Sequence, residues 1–117
     1  MLQKFRVDLD EAEFVQGDAL KATVATIFEK MGVEATDAQL GADVLVLADL
    51  RGVDSHGVSN MLKNYISDYQ NGNMNPRPDW KVIRETPGTA TIDSDRGLGI
   101  IITPKAMELA IAKAGKV

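Results

Sequence analysis

The amino-acid sequence predicts an α+β fold in which helices come first, a β-hairpin follows and a further helix comes last. Three observations carry this reading. Apolar residues recur at helical spacing in successive stretches before Gly72, two short extended runs flank Pro87-Gly88, and helical spacing returns after Gly97-Leu98-Gly99. No internal repeat or low-complexity segment interrupts this order. Helices, hairpin and helix in succession also differ from the regular strand–helix alternation of a parallel sheet.

Element by element, Phe5, Val7 and Leu9 alternate with polar residues, a weak extended signal. Leu20, Val24, Ile27, Phe28 and Met31 then fall on one helical face, with Asp18 as a capping residue and Gly32 as the terminating glycine. Thr36-Asp37-Ala38-Gln39 reads as a capping box opening a second helix, whose apolar face is Leu40, Val44, Leu47 and Ala48 and whose end is Gly52. The clearest amphipathic pattern is Val58, Met61, Leu62, Tyr65, Ile66 and Tyr69. A breaker-rich loop from Gly72 to Pro78 follows, then extended runs at Trp80 to Arg84 and Thr89 to Asp93. Thr103 and Pro104 suit the start of the last helix, although its boundary can also fall earlier, with Met107, Ala110, Ile111 and Ala114 as its apolar face. Gly115-Lys116-Val117 then reads as an approach to another strand, as in a βαβ unit cut before its second strand.

Composition narrows the function classes. The 117 residues are 44% hydrophobic and 26% charged, the balance of a globular domain rather than a disordered chain. Net charge is −4, with basic residues scattered singly among acids, so no surface for nucleic acid is expected. The absence of cysteine removes disulfides, zinc thiolate sites and thiol nucleophiles, and fits a reducing compartment. No apolar run approaches the ~20 residues of a membrane helix, and the start lacks a signal-peptide core, so a cytoplasmic protein is expected.

The densest polar cluster is Arg51-Gly52-Val53-Asp54-Ser55-His56-Gly57, between two well-signalled helices. His56 is the only histidine, and an imidazole can exchange a proton near neutral pH where few side chains can. Arg51 can hold a carboxylate by two parallel hydrogen bonds, and the flanking glycines allow sharp turns and close approach of a ligand. A structural reading stands beside this one. Asp54 and Ser55 are good capping residues for the helix beginning near Val58, and Gly52 is a good terminator. Other motifs fail on their own terms. Ile102 stands where a dinucleotide fingerprint needs its third glycine, Gly97 and Pro104 break a calcium-loop pattern, and Ser55 lacks a nucleophile elbow.

The stretch Ala48-Asp49-Leu50-Arg51-Gly52-Val53-Asp54-Ser55-His56-Gly57-Val58 resembles the signature of the malate/L-lactate dehydrogenase family that does not use the usual Rossmann fold. That family includes ureidoglycolate, sulfolactate and diketogulonate oxidoreductases. The resemblance runs in register from about Val15 to Val117, through the helices, the Gly72 loop, the hairpin and the Asp93 to Gly99 turn. It implies that residues 1–78 form a helical amino-terminal domain and that residues 79–117 begin an α/β cofactor-binding domain of a longer chain. It implies NAD or NADP as cofactor, with most of that site outside this chain, a 2-hydroxy or 2-oxo acid as substrate, and a homodimer in the full-length enzyme. It assigns acid–base catalysis to His56 and substrate contacts to Ser55, with Arg51 and Asn60 as further substrate-binding candidates. Asn60 stands where many members carry an arginine that binds the substrate carboxylate, and Ile100 replaces a frequent polar residue after the glycine turn. The segment alone is expected to be inactive and to expose surface meant to be buried. The rival reading is a non-catalytic helical interaction module derived from the same family.

Overall fold

The computed structural model describes residues 10–116; the weak extended signal at Phe5, Val7 and Leu9 lies outside them. Helix α1 spans Gly17–Lys30 and α2 spans Ala35–Leu50; a single 3₁₀ turn at Asp54–His56 then leads into α3, Val58–Gln70. Strands β1 (Lys81–Glu85) and β2 (Ala90–Asp93) form an antiparallel hairpin, and α4 spans Gly99–Ala114. The α+β class and the order of elements match the expectation.

Helices α1, α2 and α3 end in the same way. A glycine at positive φ, Gly32 (94°), Gly52 (69°) or Gly72 (72°), follows the last helical turn. The amide of the next residue reaches back to the helix: Val33 to the Phe28 carbonyl (3.1 Å), Val53 to Ala48 (2.8 Å) and Asn73 to Asp68 (2.9 Å). Each is a Schellman terminator, which needs the left-handed backbone that glycine adopts at no steric cost.

Helix starts depart from the expectation. Asp18 lies in the first turn of α1, where its charge complements the helix dipole, and Gln16 is the capping position. The expected capping box at Thr36 does not form. Glu34 stands at the cap, its carboxylate accepting the Thr36 amide at 3.1 Å, while Gln39 bonds Asp43 instead. Helix α4 starts at Gly99 rather than Thr103, so Pro104 lies inside it and withholds the amide that the Ile100 carbonyl would accept.

The core lies among the helices. Val24, Ala25 and Phe28 of α1 pack with Ala38, Ala42 and Leu45 of α2, Leu62 of α3, and Leu98 and Ile101 at the entry to α4. The α3 stripe behaves as its spacing predicts: Leu62 is buried, and Val58, Met61, Tyr65, Ile66 and Tyr69 pack against the cluster. Phe28 is fully buried and meets Tyr69 edge to face, with centroids 6.4 Å apart. On α2 the buried face is Ala38, Gly41, Ala42, Leu45 and Val46, and Leu47 is exposed. Small residues win there because the neighbours come close: a Cβ at Gly41 would sit 3.1 Å from the Phe28 ring. On α4 the expected face, Met107, Ala110, Ile111 and Ala114, is exposed throughout. Ile101 and Ile102 are buried instead, because the earlier start turns the first part of α4 onto α2.

The hairpin pairs Lys81 with Asp93 and Glu85 with Ala90, with a register shift between Val82 and Arg84. β1 is exposed along its length, so packing cannot stabilise it as a core would. Lys113 ties it to α4: the buried ammonium donates to the Thr86 carbonyl (2.7 Å) and pairs with Glu85 (2.6 Å). Asp95 and Arg96, both at positive φ, fasten the loop after α3. The Asp95 carboxylate accepts from the Asn75 side chain (2.8 Å) and the Asp79 amide (3.0 Å).

Candidate active site

The sequence-predicted residues lie where α2 hands over to α3. The Schellman terminator at Gly52 reverses the chain at the end of α2, placing Arg51 at the cap with its side chain exposed. Val53 then leads into the 3₁₀ turn, closed by the His56 amide on the Val53 carbonyl (2.8 Å) and the Gly57 amide on the Asp54 carbonyl (3.2 Å).

Ser55 and His56 are in direct contact: the serine Oγ lies 2.9 Å from Nδ1 of the imidazole. Ser55 is half-buried and His56 is exposed. A hydroxyl both donates and accepts, so this bond holds the ring whichever tautomer it carries. Asn60, in the first turn of α3, donates through Nδ2 to the Asp54 carbonyl at 2.8 Å and to Ser59 Oγ at 3.3 Å. Its amide nitrogen therefore braces the turn from the α3 side. The structure thus brings Ser55, His56 and Asn60 into one hydrogen-bonded turn. Among the described residues no side-chain hydrogen bond or ion pair ties Arg51 to them.

Asp54 and Ser55 do not cap α3. The cap comes from Asp49, nine residues before Val58, whose Oδ2 accepts the Val58 amide at 2.9 Å. Sequence reasoning missed Asp49 because cap patterns are local and this one crosses a helix end. The signal available was Gly57. Its φ of −86° suits any residue, so the absence of a side chain there points to a close neighbour. A Cβ at Gly57 would fall inside the Asp49 carboxylate.

The Gly97-Leu98-Gly99 turn does not complete a dinucleotide fingerprint, because Ile102 stands where the third glycine belongs. Gly97 is tight for internal reasons: a Cβ there would lie 2.8 Å from the side chains of both Ile102 and Pro78. Leu98 between the glycines is buried in the core. Gly97 and Leu98 therefore serve packing, while Gly99 opens α4 on the exposed side of the turn. Among the described residues no cluster of three His, Cys, Asp or Glu side chains could hold a metal ion. No described helix is long and apolar enough to cross a membrane.

A unit of three helices followed by a hairpin and a fourth helix matches the amino-terminal region of solved hydroxy-acid oxidoreductases. The chain belongs to the malate/L-lactate dehydrogenase family, whose sequence profile matches residues 15–117. It is 47% identical over 97 residues to L-sulfolactate dehydrogenase of Methanocaldococcus jannaschii, an alignment covering 83% of this chain and 28% of the relative. It is 35% identical over 95 residues to hydroxycarboxylate dehydrogenase B of Escherichia coli, covering 81% of this chain and 26% of that one. The solved structure of malate dehydrogenase from Pyrococcus horikoshii OT3 superposes with a TM-score of 0.87 at 43% identity, covering 98% of this chain and 32% of that one. The chain spans less than a third of the length of these relatives.

Proposed function

We propose that the chain is the amino-terminal part of an NAD- or NADP-dependent oxidoreductase acting on a 2-hydroxy or 2-oxo acid, with His56 as its acid–base catalyst. The observation that carries this reading is the Ser55–His56 hydrogen bond on a braced, exposed turn. With Nδ1 held by Ser55, Nε2 is the nitrogen left to meet the C2 oxygen of a substrate. In the reductive direction an imidazolium gives its Nε2 proton to that oxygen, while Nδ1–H donates to Ser55 Oγ. The neutral ring that remains carries its lone pair on Nε2, ready to take the proton back in oxidation. Ser55 therefore fixes the ring in one orientation for both directions. Arg51 is assigned to the substrate carboxylate by charge, and Asn60 to a polar contact beside the turn it braces.

The nicotinamide would supply or accept the hydride. This reading assigns most of the nicotinamide site to a segment outside residues 1–117 and takes this chain to be inactive alone. The same reading divides the chain at Pro78 into a helical domain and the start of a cofactor-binding domain. It places the protein in the cytoplasm as a homodimer of longer subunits.

The test is NAD(P)H-linked reduction of a panel of 2-oxo acids by the longest natural polypeptide that carries these residues. His56→Ala should lower kcat by about 10²- to 10⁴-fold while the thermal midpoint stays near that of the wild type. Turnover close to wild type in a folded His56→Ala enzyme would overturn the assignment. If no polypeptide longer than 117 residues exists and none binds NADH or NADPH, the interaction module replaces the enzyme.

A further inference from the structure

Asp49 lies in the last turn of α2 and is half-buried. Its Oδ2 accepts the first amide of α3, that of Val58, at 2.9 Å. That amide has no partner inside its own helix, and a carboxylate there also faces the positive end of the α3 dipole. Gly57, the capping position of α3, has no side chain to do this.

The fit between Asp49 and Gly57 is steric as well. Gly57 is buried, its backbone conformation is open to any residue, and the space a Cβ would need is filled by the Asp49 carboxylate. The two residues form a lock between the end of α2 and the start of α3. His56 is the residue immediately before the locked glycine. On its other side the turn is tied by Asn60 to the Asp54 carbonyl. With both ends of the turn held, the Ser55 hydroxyl and the His56 ring meet at 2.9 Å, and among the described residues no other side-chain hydrogen bond is made by either.

We propose that Asp49 is a positioning residue for His56, acting through Gly57 and the α3 amino terminus to hold the ring against Ser55. Its catalytic consequence rests on the reading of His56 as the proton-transfer group; its geometric content does not. Removal of the carboxylate frees the Val58 amide and opens the space over Gly57, so the turn relaxes and the serine–imidazole bond is lost. Substitution of Gly57 by alanine expels the carboxylate and has the same consequence with Asp49 still present.

His56 is the sole histidine, so ¹⁵N labelling of histidine in the 117-residue chain reports its ring alone. In Asp49→Ala and in Gly57→Ala the His56 ring nitrogen shifts should move to those of Ser55→Ala. Asp49→Asn, which retains an acceptor for the Val58 amide, should keep them near wild type. A carboxylate that only stabilised the helix junction would change the melting temperature and leave the ring shifts of the folded protein unmoved. Folded Asp49→Ala with wild-type ring shifts overturns the proposal. If Asp49→Ala does not fold, wild-type ring shifts in Gly57→Ala overturn it equally. In the longer enzyme Asp49→Ala should lower kcat about as far as loss of the serine–imidazole bond does, roughly 2- to 10-fold, with KM changing far less and Asp49→Asn restoring most of the rate. Moved ring shifts together with an active His56→Ala enzyme would uphold the positioning and remove the catalytic reading. Unmoved ring shifts would remove the positioning whatever His56 does.

Discussion

Ser55 and His56 are adjacent in sequence, yet contact between their side chains is not a consequence of adjacency; it needs the 3₁₀ turn that Asn60 and Asp49 brace. Ser55→Ala leaves that turn intact and removes only the Nδ1 partner. A net hydrogen bond contributes about 0.5–1.5 kcal/mol, so the longer enzyme should lose roughly 2- to 10-fold in kcat/KM while its melting temperature falls by no more than a few degrees, as steady-state kinetics and calorimetry would show. Another residue-scale expectation concerns Tyr69, whose hydroxyl is pushed up to about 12, first by burial and then by the charge of Asp37. An unfolded tyrosine ionises near pH 10. The folded state thus holds this proton more tightly. Its stabilising contribution is complete below about pH 10 and is lost as pH rises from there towards the folded value. Tyr69→Phe keeps the edge-to-face contact with Phe28 and should flatten the alkaline fall in stability between pH 9 and about 12, measured by urea unfolding. An equally steep fall in the variant would assign it to other groups.

Among the elements, α1 and α2 share the closest contact, with the Phe28 ring over Gly41, and α3 closes the third side through Leu62 and Tyr69. Phe28→Ala should cost about 3–5 kcal/mol, because backbones already in contact through small residues cannot collapse further into the space. Chemical denaturation would show it, and a loss under 1 kcal/mol would mean the three helices repack. The hairpin depends instead on one buried cation. The hydrogen bond from Lys113, and next its charge, hold the Glu85 carboxyl below its ordinary value. The contribution is therefore present above the usual glutamate range and is lost as pH falls below about 4.5 through the lowered folded value. Glu85→Gln should show a shallower acid loss of β1–β2 amide protection than wild type. These elements also show what a sequence reveals. Spacing identified α3 fully, because a strongly amphipathic stripe leaves one face to bury. On α2 it caught Leu40, which packs against the core, but missed the small residues beside it, because alanine and glycine mark close helix contacts without looking apolar. On α4 it missed Ile101 and Ile102 because it started the helix too late. Glycines after helices identified two terminators directly. Ser55 and His56 were legible from residue chemistry and resemblance, whereas Asp49 was hidden by a cap that spans two helices.

At the scale of the molecule, the radius of gyration is 16.4 Å, against about 13 Å for a compact domain of ~100 residues. The excess fits a helical core with β1 and the far half of α4 standing off it. Met107 and Ile111 are 55% and 65% exposed, and Leu50, beside the serine–histidine turn, is 71% exposed. Apolar faces of this kind bury themselves against another surface when one is available. Curated relatives carry more than two thirds of their length beyond the matched segment, which is ample material for such a surface. The 117-residue chain alone offers only copies of itself. Its sedimentation coefficient should therefore rise with concentration. Met107→Lys with Ile111→Lys should suppress that rise while changing stability by less than about 0.5 kcal/mol per site, because neither side chain contributes to the core. If the association persists in the double variant, the face around Leu47, Leu50 and Val53 is the one that meets a neighbour, and Leu50→Lys is the substitution that should abolish it. A chain that stays monomeric at every concentration would mean that these faces tolerate water, and the longer protein would not need them covered to fold.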